Sequence, residues 1–201
     1  PFRRILVATD FSVQAQHAAD HAAGIAVQHD AELLLVHCLS IPSPHVSPSY
    51  QASAALFAEQ SEHLLAAARD KLQTERERLG HCELVRQHLV HAAPTDGILD
   101  LADLQRATLL VLGTHGRRGI SRFLLGSVAL RVAQRAHADV LVARGKSPKS
   151  YKRILVPVDF TPRSEEAIDR ARRLAGADAE ISLLHCWELG SQTMNWEADG
   201  K

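Results

Sequence analysis

One segment of this 201-residue chain concentrates residue types that could hold a ligand: Gly113-Thr114-His115-Gly116-Arg117-Arg118-Gly119-Ile120-Ser121-Arg122-Phe123-Leu124-Leu125-Gly126-Ser127. It follows the apolar run 108–112 and precedes a helical pattern. Gly113 and Gly116 present backbone that a ligand can approach with no Cβ in the way. Gly126 and Ser127 put N–H groups and a hydroxyl at a predicted helix start, where partial positive charge favours phosphate. The chemistry that this combination offers is a phosphate cradle. It is not a Walker A loop, because no Gly-Lys-Ser/Thr follows. Nor is it the dinucleotide fingerprint, because the spacing differs and the strand is not the first. Arg117, Arg118 and Arg122 read equally as phosphate-neutralising charges or as a solvated loop face. His115, inside the loop, reads as a turn residue or as a γ-phosphate contact.

Asp10 is the second candidate. It closes the apolar run 5–8 after Thr9, and its carboxylate suits either a ligand or the cap of the following helix. The pairs His37-Cys38 and His185-Cys186 resemble metal ligands, but adjacent strand residues point to opposite faces. His17 and His21 stand four apart on a helical pattern with no third ligand, and read as a solvated face. There is no Walker B partner, nucleophile elbow or zinc triad, so no catalytic or metal-binding residue is assigned.

The elements that must position these residues alternate. Runs at 5–8, 33–38 and 108–112 are nearly all Val, Ile and Leu, as in strands buried on both faces. Residues 83–90 alternate like a strand with one half-exposed face, as at a sheet edge, and 140–143 read as the last of these strands. Ser12 is a predicted N-cap for a helix striped by Ala15, Ala18, Ala19, Ala22, Ile25 and Ala26. Prolines at 42, 44 and 48 make 41–49 a loop. A long helix is predicted over 52–79, with the stripe Leu56, Phe57, Leu64, Ala68, Leu72 and Leu79. Further helices are expected over 94–105 and 127–137. Strands alternating with helices imply an α/β fold, a doubly wound five-stranded parallel sheet. Placing the most apolar runs centrally gives the order 3-2-1-4-5. The winding then reverses between the strand ending at Asp10 and the strand ending at Gly113, where such sheets bind ligands.

The chain also repeats itself. Arg4-Ile5-Leu6-Val7-Ala8-Thr9-Asp10-Phe11-Ser12 returns as Arg153-Ile154-Leu155-Val156-Pro157-Val158-Asp159-Phe160-Thr161. Ala31-Glu32-Leu33-Leu34-Leu35-Val36-His37-Cys38 returns as Ala179-Glu180-Ile181-Ser182-Leu183-Leu184-His185-Cys186, with an Ala-rich helix between in both copies. The expected organisation is a first domain over 1–146, a linker over 147–150, and an incomplete strand-helix-strand copy over 151–201. The second copy has Asp159 but no counterpart of the glycine segment. A piece of that size is expected to need company to hold a core.

The spacing Gly113-x2-Gly116-x9-Gly126-Ser127 after strand four resembles the ATP-binding signature of the universal stress protein family. The opening 5–12, His37 closing strand two and Ala138-Asp139-Val140-Leu141-Val142-Ala143 resemble that family too. The resemblance implies a Rossmann-like nucleotide domain of the adenine nucleotide alpha hydrolase type. It implies ribose contact by Asp10, with Ala8 and Thr9 lining the pocket and the Cys38 backbone at adenine. It further implies a phosphate cradle of Gly113, Gly116, Gly126 and Ser127, with Val128 adjacent. Ala8 departs from the Pro found in many members. The implied cofactor is ATP, with magnesium on the phosphates, and the implied assembly is a homodimer through the edge strand from Val140 to Ala143.

Composition narrows the rest. Lys+Arg and Asp+Glu both number 23, and aromatic content is 4%, which argues against nucleic acid as the partner. No apolar run has the length of a membrane span or signal-peptide core. Three widely spaced cysteines fit a reducing compartment, hence a cytoplasmic protein. The function expected is a nucleotide-dependent stress-response regulator without dedicated catalysis. A nucleotide-free dimeric interaction protein and a slow ATP hydrolase or nucleotidyl transferase are the alternatives.

Overall fold

The computed structural model describes residues 1–40, 51–80, 82–114, 125–148 and 150–187. They fall into two compact units, Pro1–Lys149 and Ser150–Lys201. The first contains β1 (Arg4–Ala8), α1 (Val13–His29), β2 (Glu32–Cys38), α2 (Gln51–Arg78), β3 (Val85–Val90), α3 (Pro94–Leu104), β4 (Leu109–Gly113), α4 (Ser127–Arg135) and β5 (Asp139–Ala143). The five strands form one sheet in the order β3-β2-β1-β4-β5, all pairs parallel, as the sequence predicts.

Apolar patterning explains this order. Leu6, Leu34 and Leu110 are fully buried on the face that meets Ile98 and Leu101 of α3 and Val132 of α4. The other face receives α1, whose buried alanines 15, 18, 19, 22, 23 and 26 bring its backbone close to β1 and β4. Burying both faces of the central strands removes the largest apolar area from water, so the most continuous Val/Leu runs occupy the middle.

Three expectations need correction. Leu64 of the predicted α2 stripe is 54% exposed; the buried stripe is Ala68, Leu72, Glu75 and Leu79. Leu56 and Phe57 lie outside the residues whose side chains are described. Helix α4 ends at Arg135 rather than 137, with Ala136 turning to extended backbone. His21 does not lie on a solvated face. It is buried, and its Nε2 donates to Gly145 O at 3.2 Å, tying α1 to the turn after β5. Burial lowers its pKa. Gly145 has φ +73, which explains a glycine in that turn.

The second unit holds β6 (Tyr151–Pro157), α5 (Pro162–Leu174) and β7 (Ala175–Leu184), with β6 and β7 paired in parallel. Strand β7 starts at the C-cap of α5, five residues before Glu180, the counterpart of the first residue of β2. Val156 and Ala171 are buried, whereas Leu155, Leu183 and Leu184 are exposed. Their counterparts Leu6, Leu35 and Val36 are fully buried. Leu183 and Leu184 are neighbours on β7 and point to opposite faces, so in this two-stranded unit with its one helix apolar side chains are exposed on both faces.

Candidate functional site

The reversal of winding lies between β1 and β4, because β1 pairs with β2 on one side and β4 on the other. Beyond Ala8 the chain stays tied to the sheet through Thr9 N–H donating to Val36 O at 2.8 Å. It then turns sharply into α1. Phe11 has φ +64, the left-handed region that costs a residue with a Cβ about 1–2 kcal/mol. Its N–H donates to Thr9 Oγ1 at 3.0 Å, and Ser12 N–H donates to Asp10 Oδ1 at 3.0 Å. Ser12 Oγ in turn accepts from Ala15 N–H at 3.2 Å, so Ser12 is the N-cap. Asp10 stands half-buried before it, organising the turn.

The β4 side is built differently from what its glycines suggest. A Cβ on Gly113 would lie 2.9 Å from Gln14 O and 3.0 Å from Gln14 C, both backbone atoms in the first turn of α1. Gly113 therefore lets that turn close on β4. Gly126 is the N-cap of α4, and its N–H is already committed to Thr114 O at 2.7 Å. That bond closes the neck of the glycine segment and leaves Ser127, exposed at the first helical position, to offer donors. His115 and Gly116, with Arg117, Arg118 and Arg122, lie outside the described residues.

Ala8, Cys38, Val90 and Val128 all pack against the buried cluster shared with α3 and α4. Three of the predicted site residues thus share an apolar neighbourhood at the carboxyl ends of the strands. Burial pushes the Cys38 thiol up to about 11, so it stays protonated at neutral pH. A Cβ on Gly97 would lie 2.9 Å from Cys38 Sγ, so the bare helix position makes room for that thiol.

On the opposite side of β2 sits a contact not read from the sequence. His37 Nδ1 lies 2.7 Å from Thr9 O. Its ring centroid is 4.4 Å from that of Phe11, and Lys71 Nζ lies 5.7 Å from the Phe11 centroid. The repeat carried the signal, since Phe11 and His37 both return, as Phe160 and His185.

The family model described as the universal stress protein family matches residues 1–144 and 150–200. The chain belongs to the universal stress protein family. A universal stress protein of Methanocaldococcus jannaschii is 34% identical over 148 residues, which cover 74% of this chain and 84% of that protein. Among solved structures, universal stress protein UspA from Lactobacillus plantarum is 26% identical with a TM-score of 0.56, over 71% of this chain and 97% of that one. A universal stress protein solved in complex with cAMP is 25% identical with a TM-score of 0.50, again over 71% and 97%.

This universal stress protein repeats the β1 turn in its second unit. Val158 N–H donates to Leu184 O at 2.8 Å, Phe160 has φ +61, and His185 Nδ1 lies 2.8 Å from Val158 O. The acid differs in its surroundings. Asp159 Oδ1 accepts from Thr161 N–H at 3.0 Å, Thr161 Oγ1 at 2.6 Å and Ser164 Oγ at 2.7 Å. The Thr161 and Ser164 hydroxyls hold its carboxyl down to about 2. A depressed pKa contributes stability that is present above the unfolded value of about 3.9 and is lost as pH falls through the folded value. Carboxyl carbon NMR should therefore show Asp159 still ionised near pH 3, and titration near pH 4 would contradict the hydrogen-bonded turn.

No group of three or more His, Cys, Asp or Glu residues suited to a metal occurs among the described residues. Around the switch point stand a carboxylate, hydroxyls, an apolar floor and the start of α4. Such a set can bind a polyol, a flat apolar ring and an anion.

Proposed function

We propose that this protein binds an adenine nucleotide, ATP, at the switch point between β1 and β4, and uses its occupancy to regulate a stress response. The observation that carries the reading is the juxtaposition of two neighbouring strands. One ends in the Asp10 turn, and the other leads through the Thr114–Gly126 neck into α4. A carboxylate accepts sugar hydroxyls, and a helix N-terminus favours phosphate. In this reading Asp10 holds the ribose, with Ala8 and Thr9 beside it, and Cys38 and Val128 border the adenine. Gly113, His115, Gly116, Gly126 and Ser127 form the phosphate segment, where Gly113 acts by letting α1 close and Gly126 by fixing the neck. Magnesium would sit on the phosphates. The cAMP complex of a family member supports an adenine nucleotide as the ligand class.

The second unit, over 151–201 after a linker at 147–150, is in this reading a second family-type copy that retains the β1 turn. Assembly as a homodimer is proposed through β5, which forms one edge of the five-stranded sheet. Three unpaired cysteines support a reducing, cytoplasmic setting.

Mass spectrometry of small molecules released on denaturing the freshly purified protein, together with calorimetric titration of ATP, tests the site. Released adenine nucleotide or saturable 1:1 binding is expected. Protein that carries none and binds none is instead the nucleotide-free interaction protein, held together by its β5 edge.

A further inference from the structure

We infer that His37 is a positioning residue for the Asp10 carboxylate: it clamps the peptide before Asp10 and backs the strained residue after it. This rests on the nucleotide reading above and names a device within that site. A carbonyl oxygen can only accept, so the 2.7 Å contact requires the proton on Nδ1, which donates to Thr9 O. Thr9 O belongs to the peptide joining Thr9 to Asp10, and fixing that peptide plane fixes the direction in which Asp10 leaves the strand. On the far side of Asp10, Phe11 adopts φ +64, a conformation that persists only when neighbours over-determine it. The His37 ring, tilted by 41° with its centroid 4.4 Å from that of the Phe11 ring, supplies such a neighbour. One imidazole thus grips both flanks of the acid.

The second unit serves as an internal control. There Val158 replaces Thr9, so no side-chain hydroxyl exists to accept from the Phe160 N–H. Phe160 nevertheless keeps φ +61, and His185 keeps its 2.8 Å bond to Val158 O and its ring at 4.6 Å. The two turns share the histidine clamp and the bond from the N–H two residues on to the acid, Ser12 to Asp10 and Thr161 to Asp159, but not the threonine hydroxyl. The units differ in what else directs the carboxylate. Asp159 is gathered by the Thr161 and Ser164 hydroxyls, whereas the residue matching Ser164 is Ala15, which has no hydroxyl to contribute.

The test compares ATP with 2′,3′-dideoxy-ATP in calorimetric titrations of the full chain. Wild type should prefer ATP by about tenfold or more, the range of a hydrogen bond to a charged group. The amide of His37→Asn places nitrogen where Nδ1 sits, whereas that of His37→Gln does not. His37→Gln should reduce the preference to within about threefold while leaving dideoxy-ATP affinity nearly unchanged, because only the sugar contact is misdirected. His37→Asn should restore most of the preference. A His37→Gln protein that keeps the full preference, or weakens both ligands by one factor, overturns the inference, as does failure of His37→Asn to restore it. Wild type that binds neither nucleotide removes the site reading and this inference with it. Imidazole nitrogen NMR of the wild type gives a readout independent of variant folding. Its spectrum must place the His37 proton on Nδ1, and a proton on Nε2 alone overturns the clamp.

Discussion

Gly113→Val should destabilise the first unit by about 3 kcal/mol even with no nucleotide present, the upper part of the usual range for overpacking. Gly113 is the last residue of β4, and its φ is not in the left-handed region, so backbone conformation does not demand a glycine. Strand preference alone would favour valine. What opposes it is the first turn of α1. The new Cβ would stand 2.9 Å from Gln14 O, and that oxygen belongs to a helix held by the Ser12 cap and by buried alanines along its length. Neither the strand nor the helix can give locally, so the helix start must shift. Gly113→Ala, with no branching methyls, should cost about 1 kcal/mol. Urea unfolding of the nucleotide-free protein measures both, as a lowered midpoint with an unchanged slope. A valine variant as stable as wild type would return this glycine to a purely ligand-facing role. The shifted helix start also carries Ser12, so the valine variant should lose nucleotide affinity as a secondary effect.

That glycine shows where a sequence runs out. A missing side chain at the end of a strand admits either a ligand or a neighbouring helix, and the two leave the same letter. The strand order was legible because 5–8, 33–36 and 109–112 are apolar at every position, and only central strands of a doubly wound sheet need that. The Ser12 cap was legible because a hydroxyl immediately before an apolar helical stripe has a local purpose. Contacts across elements were not. His37 places a polar side chain one residue before the end of β2, and alternation tells only which face it leaves from. Its acceptor, Thr9 O, is a backbone atom just beyond β1 and has no letter of its own. His21 failed for a related reason: paired with His17 it looked like a polar helix face, while its acceptor is the carbonyl of Gly145, far along the chain. The commitment of the Gly126 N–H to Thr114 O is likewise a choice between two partners that spacing leaves open.

Asp10→Ala should lower ATP affinity by about 10- to 100-fold, the loss expected when a charged acceptor of sugar hydroxyls is removed. Alanine also deletes the bond from Ser12 N–H, a structural cost of about 1 kcal/mol, so the alanine variant alone mixes two effects. Asp10→Asn separates them. The Asn side-chain carbonyl accepts from Ser12 N–H as the carboxylate does, and asparagine suits such turns, so stability should stay near wild type. Its amide nitrogen, however, donates where the carboxylate accepts, and one of two sugar hydroxyls loses its acceptor. Charge pulls the other way. Removing a negative group beside a polyphosphate relieves repulsion, though by an amount that salt screens over about 8–10 Å. The sign of the Asn effect therefore decides which contribution dominates. A several-fold loss of ATP affinity at unchanged stability, measured by calorimetry alongside urea unfolding, assigns Asp10 to the sugar. An Asn variant that binds ATP more tightly than wild type would leave Asp10 only the turn it builds with Ser12.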